Sequence, residues 1–117
     1  MITAYLNNDE FLDVICSYNN ELNIFINDGD RTFSINTIPH EYISVGGVGT
    51  GFFNDDAYRD IVASKGYIYY GDGSGNFATV DTLSFNFQTV YVSDFNNDNI
   101  DDVVALNSGG KIGRAHV

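Results

Sequence analysis

The chain has 117 residues, enough for one small domain with a modest hydrophobic core. Its 16 acidic residues outnumber 5 basic ones, so the formal net charge of −11 disfavours contact with nucleic acid and with anionic membranes. No apolar stretch is long enough to span a bilayer, and a single cysteine, Cys16, excludes an internal disulfide. We therefore expect no nucleic-acid partner and no direct membrane insertion.

The first 39 residues predict a series of short strands. Apolar and aromatic runs alternate with the turn dipeptides Asn19-Asn20 and Asp28-Gly29. The predicted strands span residues 2–6, 12–18, 22–26 and 32–38. No window in the chain shows convincing helical periodicity, so we expect an all-β fold.

Residues 40–87 repeat this pattern. The predicted strands span residues 41–48, 60–64, 67–70 and 76–83. Lys65-Gly66 and Asp72-Gly73 mark tight turns between them. The turn segment 27–33 of the first repeat aligns with 71–77 of the second, at a spacing of 44 residues.

Residues 88–111 begin a third repeat, with strands expected at 89–93 and 102–106, after which the repeat stops. The last six residues, 112–117, resemble the translation of a common short-read sequencing adapter. We interpret them as an adapter-derived artefact and leave them out of the fold prediction.

One nine-residue loop occurs in all three repeats: loop A (residues 5–13), loop B (52–60) and loop C (94–102). Each loop has an apolar residue at position 2, Asn at position 3, Asp at position 5, a large apolar residue at position 7 and Asp at position 9. The loops are spaced by 47 and 42 residues, a period typical of one supersecondary unit per repeat. Four strands per repeat indicate propeller blades, and an ordinary β-sandwich with accidental internal similarity is the alternative.

Loop C carries oxygen ligands at alternating positions. Asp94, Asn96, Asp98 and Asp102 stand at positions 1, 3, 5 and 9, and Ile100 at position 7 offers its backbone carbonyl. Alternating positions of a tightly coiled loop point inward together, and Ca²⁺ takes six to eight such oxygens. Mg²⁺ fits less well, because it requires a stricter octahedron and keeps more water.

An EF-hand has a similar start, but it requires a bidentate Glu at position 12, where this chain has Ala105. It also requires flanking helices, and these flanks are rich in β-formers. Asn99 replaces the EF-hand glycine at position 6, and Asn tolerates the left-handed conformation that this turn needs. The EF-hand interpretation therefore fails.

The run 94–104 resembles the Asp-Phe-Asn-x-Asp-Gly-x-x-Asp-Leu-Leu loop of FG-GAP/VCBS repeats, and residues 71–77 resemble their Gly-Asp-Gly-x-Gly-x-Phe turn. Such repeats form the blades of the integrin α head and of many secreted microbial proteins. The resemblance covers residues 1–111 and implies an incomplete β-propeller of about two and a half four-stranded antiparallel blades: 1–39, 40–87 and a truncated 88–111. It also implies Ca²⁺ bound in the loop between the first two strands of a blade, and an extracellular or cell-surface location.

Loops A and B depart from this motif, because position 1 is Tyr5 in one and Phe52 in the other. Fewer carboxylates imply weaker calcium binding. The alternative for these loops is that Asn and Asp bond to nearby backbone amides and hold the turn without metal. The remaining candidate ligands are Asn7, Asp9 and Asp13 in loop A, and Asn54, Asp56 and Asp60 in loop B.

These observations predict a non-enzymatic, calcium-binding propeller segment of a larger extracellular adhesion or ligand-binding protein. Its partner would be a protein or carbohydrate at the extracellular surface, and it would need further blades of the parent chain. The alternative is a scaffold or glycan-binding propeller segment of a secreted polysaccharide-degrading enzyme. A third possibility is a structural spacer without metal.

Overall fold

The computed structural model describes residues 1–18, 20–39, 47–83 and 87–107, together with the backbone of residues 112–116. Within these ranges the chain forms three antiparallel β-sheets and a 3-10 turn, Ser64–Gly66. No helix in the described part is long and apolar enough to cross a membrane. The predicted all-β class is confirmed for this part of the chain.

Sheet 1 contains the first repeat, with its strands hydrogen-bonded in sequence order. The strands are β1 (Ile2–Ala4), β2 (Asp13–Tyr18), β3 (Glu21–Asn27) and β4 (Phe33–Pro39). The predicted Asp28-Gly29 turn lies between β3 and β4, and Gly29 has φ = 83°. This left-handed conformation is the one that glycine adopts without steric cost.

Sheet 2 contains the second repeat in the same order. Its strands are β5 (Val48–Gly51), β6 (Asp60–Ala63), β7 (Tyr67–Tyr70) and β8 (Thr79–Thr82). The predicted turns are confirmed by positive φ angles at Lys65 (72°), Gly66 (83°) and Gly73 (82°). β8 is shorter than the predicted strand 76–83, because Asn76 belongs to the preceding turn, where its carbonyl accepts the Asp72 N–H at 3.2 Å.

Sheet 3 has three strands, whereas two were predicted. It consists of β9 (Thr89–Ser93), β10 (Asp102–Leu106) and β11 (Ile112–His116), with β10 in the centre. β11 pairs with β10 from Leu106↔Ile112 to Asp102↔His116. The two predicted strands, β9 and β10, have the predicted bounds. The third strand was not predicted, because residues 112–117 had been left out of the fold prediction. The sequence also predicts a turn at Ser108-Gly109-Gly110, where the Lys65-Gly66 turn falls in the second repeat, but these three residues lie outside the described part.

Sheet 2 lies between the other two sheets, and its strand β6 is buried on both faces, whereas β8 is exposed. Ile61 and Ala63 of β6 pack towards sheet 1, and Val62 between them packs towards sheet 3. All three side chains are fully buried. The cluster between sheets 1 and 2 includes Leu6, Ile15, Leu22, Ile24, Tyr69 and Phe77; the cluster between sheets 2 and 3 includes Phe53, Ile68, Phe87, Val103 and Ala105.

The first strand of sheet 2 departs from the prediction of a strand at 41–48. β5 spans Val48–Gly51, and residues 41–46 lie outside the described part. β5 lies beside both β1 and β9, the first strands of the neighbouring sheets. A Cβ atom at Gly51 would lie 2.6 Å from Val92 Cγ1, so only glycine permits this approach. Strand propensity disfavours glycine, which is why the sequence pattern misplaced the strand.

The three sheets thus follow the three repeats, pack face to face and bring their first strands side by side. No sheet closes on itself. This arrangement places loops A, B and C at equivalent positions, each between the first and second strands of its sheet.

Candidate metal-binding loops

The aspartates at position 9 are fully buried in all three loops: Asp13, Asp60 and Asp102. In loop A, Asp13 Oδ2 accepts the backbone N–H of Leu6 at 2.8 Å, and Oδ1 accepts that of Asn27 at 2.8 Å. Leu6 is at the start of the loop, and Asn27 is the last residue of β3. The carboxylate therefore ties the loop to the end of the third strand.

Asp60 makes the equivalent pair of bonds in loop B. It accepts the N–H of Phe53 at 3.0 Å and the N–H of Gly71, directly after β7, at 2.9 Å. Burial raises the pKa of Asp60, and the two backbone bonds oppose that rise. In loop C, Asp102 Oδ2 accepts the N–H of Phe95 at 3.1 Å. We call this arrangement the aspartate clasp; it shapes each loop through the protein's own amides.

The aspartates at position 5 make a second shared contact. Each accepts the backbone N–H of the residue at position 7, two residues further on, in an Asx turn. The bonds are Phe11 to Asp9 Oδ1 at 2.9 Å, Tyr58 to Asp56 Oδ1 at 3.0 Å and Ile100 to Asp98 Oδ1 at 3.0 Å. These predicted ligands therefore lie in the same local geometry in all three loops.

Position 1 separates loop C from the other two. Asp94 Oδ1 accepts the N–H of Asp98 at 3.1 Å, and Oδ2 accepts the N–H of Asn99 at 2.9 Å. In loop B, the Arg59 guanidinium lies 4.6 Å from the ring centroid of Phe52, a cation–π contact. Loop C is therefore the one loop of the three with a carboxylate at position 1.

The asparagines at position 3 differ in their hydrogen bonding. In loops A and B the Oδ1 atoms of Asn7 and Asn54 are buried and accept no hydrogen bond. A buried acceptor without a donor costs about 1–3 kcal/mol. In loop C, Asn96 Nδ2 donates to Asp98 Oδ2 at 3.4 Å. Loops A and B thus each hold a buried oxygen that lacks a partner, at a position where the motif expects a ligand.

Left-handed backbone helps to coil these loops. Asn8 and Asn97, at position 4 of loops A and C, both have φ = 60°, and Asn99 at position 6 has φ = 68°. Asparagine adopts this region more readily than most residues, as expected for Asn99 in place of the EF-hand glycine.

The donor set suits a hard cation, because it contains carboxylate, amide and backbone oxygens and no sulfur or imidazole. Among the described residues, however, no three His, Cys, Asp or Glu side chains form a group that could hold a metal ion. The clasp and the Asx turns direct the carboxylates of loop C towards backbone amides. Of the five predicted ligands in loop C, Asn96 and Asp98 contact each other through a 3.4 Å hydrogen bond, and Asp102 is fully buried.

Two features of the loops were missed in the sequence. One is the set of backbone amides that the position-9 aspartates bind. The other is a contact between the aromatic residue at position 7 and the glycine of the turn after the third strand. A Cβ atom at Gly73 would lie 2.5 Å from the Tyr58 ring, and one at Gly29 would overlap the Phe11 ring. Both aromatic residues stand at position 7, so in loops A and B this side chain covers the turn after the third strand. The matched pairs Phe11/Tyr58 and Gly29/Gly73, already visible in the aligned repeats, were the available signal.

No protein-family model, curated protein or solved structure gives a significant match to this chain.

Proposed function

We propose that this chain is a non-enzymatic, calcium-binding segment of FG-GAP/VCBS type, from the β-propeller of a larger extracellular adhesion or ligand-binding protein. The observation that carries the proposal is a loop of one design occurring three times at the same place in three consecutive sheets. Two of the three loops also contain a buried amide oxygen without a donor.

Loop C is the principal calcium site in this proposal. Asp94, Asn96, Asp98 and Asp102 would supply side-chain oxygens, and Ile100 would supply its carbonyl. The Asn96 amide group already lies beside the Asp98 carboxylate. A rotation of that amide would exchange its NH₂ group for Oδ1 and direct an oxygen to the same point. The net charge of −11 adds a long-range attraction for a divalent cation.

Loops A and B are weaker sites, because they lack a carboxylate at position 1. In loop A, Asn7, Asp9 and Asp13 remain available. In loop B the remaining set is Asn54, Asp56 and Asp60. A cation there would satisfy the buried Oδ1 of Asn7 or Asn54, which supports binding despite the smaller charge.

Calcium in loop C would also strengthen a junction between two sheets. Asp101, next to Asp102, accepts the N–H of Phe52 on its Oδ2 at 2.9 Å, and its own N–H donates to the Phe52 carbonyl at 2.9 Å. Phe52 is the first residue of loop B. Ordering loop C would therefore fix the contact between sheets 2 and 3, and calcium would stabilise the folded state by binding it alone.

The test is a thermal melt with and without calcium for the unchanged chain and for Asp98→Ala. We expect calcium to raise Tm and Asp98→Ala to remove most of that rise. Asp81→Ala is the matched control. Asp81 is an exposed aspartate of β8, outside the three loops, and its carboxylate accepts the backbone N–H of Thr82. No calcium-dependent change in Tm, or an equal rise in Asp98→Ala, would disprove the metal site.

A second candidate, the glycan-binding segment of a secreted polysaccharide-degrading enzyme, is favoured by a cleft of about 650 Å³ between β4 and sheet 2. Asn36, Asp72 and Asn76 line it, and amide and carboxylate groups bind sugar hydroxyls. Titration with neutral oligosaccharides should shift the side-chain amide NMR signals of Asn36 and Asn76. Unchanged signals across the panel would remove this candidate.

A further inference from the structure

Two sheet faces point away from the interior at opposite ends of the stack. Face 1 is the side of sheet 1 that turns away from sheet 2, and it carries Val14, Phe25 and Ile35 in one row of paired residues. Face 3 is the side of sheet 3 that turns away from sheet 2, and it carries the pair Tyr91 and Val104 together with Leu106. Ile35 is 63% exposed and Tyr91 is 72% exposed.

Face 1 matches surfaces that are buried in the other repeats. Val14 occupies the position that Ile61 holds in sheet 2 and Val103 holds in sheet 3. Ile61 and Val103 are both 0% exposed, because each packs on the preceding sheet. Phe25 likewise corresponds to the buried Tyr69, since Val14 pairs with Phe25 as Ile61 pairs with Tyr69. Face 1 is therefore one half of an interface that the chain makes twice.

Face 3 is the other half of the same interface. Val104 occupies the position of Ile15 in sheet 1 and Val62 in sheet 2, which are 1% and 0% exposed because each packs on the following sheet. Tyr91 corresponds to Ile2, which packs against the cluster between sheets 1 and 2. A large apolar side chain is thus accommodated at this position in one of the two internal interfaces.

We propose that a second copy of this chain packs its face 3 on face 1 of the first, head to tail. The two surfaces differ, so the contact is heterologous and leaves one face free at each end of a pair. Addition of further copies gives a ring where the rotation closes and a filament where it does not. The proposal concerns the 117-residue chain by itself; adjoining blades of a longer chain would cover the same two faces. It depends on the equivalence of the repeats and is independent of calcium binding.

Charge opposes this association at long range. Each copy carries a net charge of −11, and face 1 includes the exposed Glu21, on the same side of β3 as Phe25, whereas the other side chains named on faces 1 and 3 are uncharged. Salt screens repulsion between whole molecules and leaves apolar contact intact. Self-association should therefore become stronger as the sodium chloride concentration rises.

The test is sedimentation velocity over a wide range of protein and salt concentrations. Tyr91→Asp alters face 3, Ile35→Asp alters face 1, and Val80→Asp is the control. Val80 pairs with Tyr69 as Ile35 pairs with Phe25, but it lies on sheet 2, outside faces 1 and 3, and it is 50% exposed. We expect the unchanged chain and the control to associate, and each face variant to associate at least about tenfold more weakly.

Mixing the two face variants distinguishes this geometry from others. The Ile35→Asp protein keeps an intact face 3, and the Tyr91→Asp protein keeps an intact face 1. An equimolar mixture should therefore form one-to-one dimers that grow no further. Far-UV circular dichroism verifies the fold, and Tyr91→Ser with Ile35→Thr replaces the acidic pair if either acidic variant unfolds.

Three results would overturn the proposal. One is a chain that stays monomeric at every concentration and salt level. Another is association that neither face variant weakens, as expected for pairing through the strand edges of β4 or β8. The last is a mixture of face variants that associates no more than each variant alone, as expected for a symmetric contact.

Discussion

Replacing Asp60 tests whether the aspartate clasp holds the loops by itself. Asp60 is fully buried and accepts the N–H groups of Phe53 and Gly71 at 3.0 and 2.9 Å. Asp60→Ala leaves both donors without an acceptor, and each unsatisfied buried group costs about 1–3 kcal/mol. The expected loss is about 2–6 kcal/mol, a large share of the roughly 5–15 kcal/mol that stabilises a small domain.

The assay is urea denaturation in the presence of EDTA, so that metal contributes nothing to the difference. Asp56→Ala is the matched control, because Asp56 is exposed and accepts one N–H, from Tyr58 at 3.0 Å. That amide can bond to water instead, so the control should lose at most about 1 kcal/mol. Asp60→Asn keeps one acceptor oxygen and should lie between the two. A loss in Asp60→Ala no larger than in Asp56→Ala would refute the clasp.

Two further results are expected. Gly51→Ala should cost about 1–3 kcal/mol by overpacking, since its Cβ would lie 2.6 Å from Val92 Cγ1 and 2.9 Å from Asp101 Oδ2, whereas Gly49→Ala, with its nearest contact at 3.1 Å, should cost less. Equal urea midpoints for the two variants would contradict the close approach of β5 to β9. Burial raises the pKa of Tyr69 above its ordinary 10.0, with Tyr67 adding to the rise. The folded state therefore keeps a proton that the unfolded chain loses, so stability is fully present below about pH 10 and falls above it. Tyr69→Phe should therefore show a smaller decrease in Tm above that pH than the unchanged chain. A Tm-against-pH profile identical to that of the unchanged chain would contradict this expectation.

Local signals in the sequence were sufficient for much of the fold. The strands β2, β3, β7, β9 and β10 lie close to their predicted ranges, because each combines an apolar or β-branched run with a turn dipeptide at its end. The turns at Gly29, Lys65-Gly66 and Gly73 follow from residues that tolerate positive φ. The repeat spacing also predicted which strands belong to the same sheet.

Features that depend on distant neighbours were harder to predict. β5 is a strand because β1 and β9 lie on either side of it, and its glycines give no local sign of that. The role of Asp60 depends on the amide of Gly71, which lies 11 residues away and reaches the carboxylate only after β6 and β7 have paired. Chemical type alone led to the prediction of Asp13, Asp60 and Asp102 as ligands. Bonds to nearby backbone amides were the alternative for loops A and B, but nothing in the sequence indicated that one of these amides comes from the end of the third strand.

The most direct test of calcium binding follows the backbone amides of loop C during a calcium titration by NMR. The amides of Asp98, Asn99 and Ile100 donate to the carboxylates of Asp94 and Asp98. Calcium would take up those carboxylates, so we expect these amide signals to shift and saturate together, with a smaller response to magnesium. The absence of any shift at millimolar calcium, the range in which weak extracellular sites bind, would contradict the proposed function.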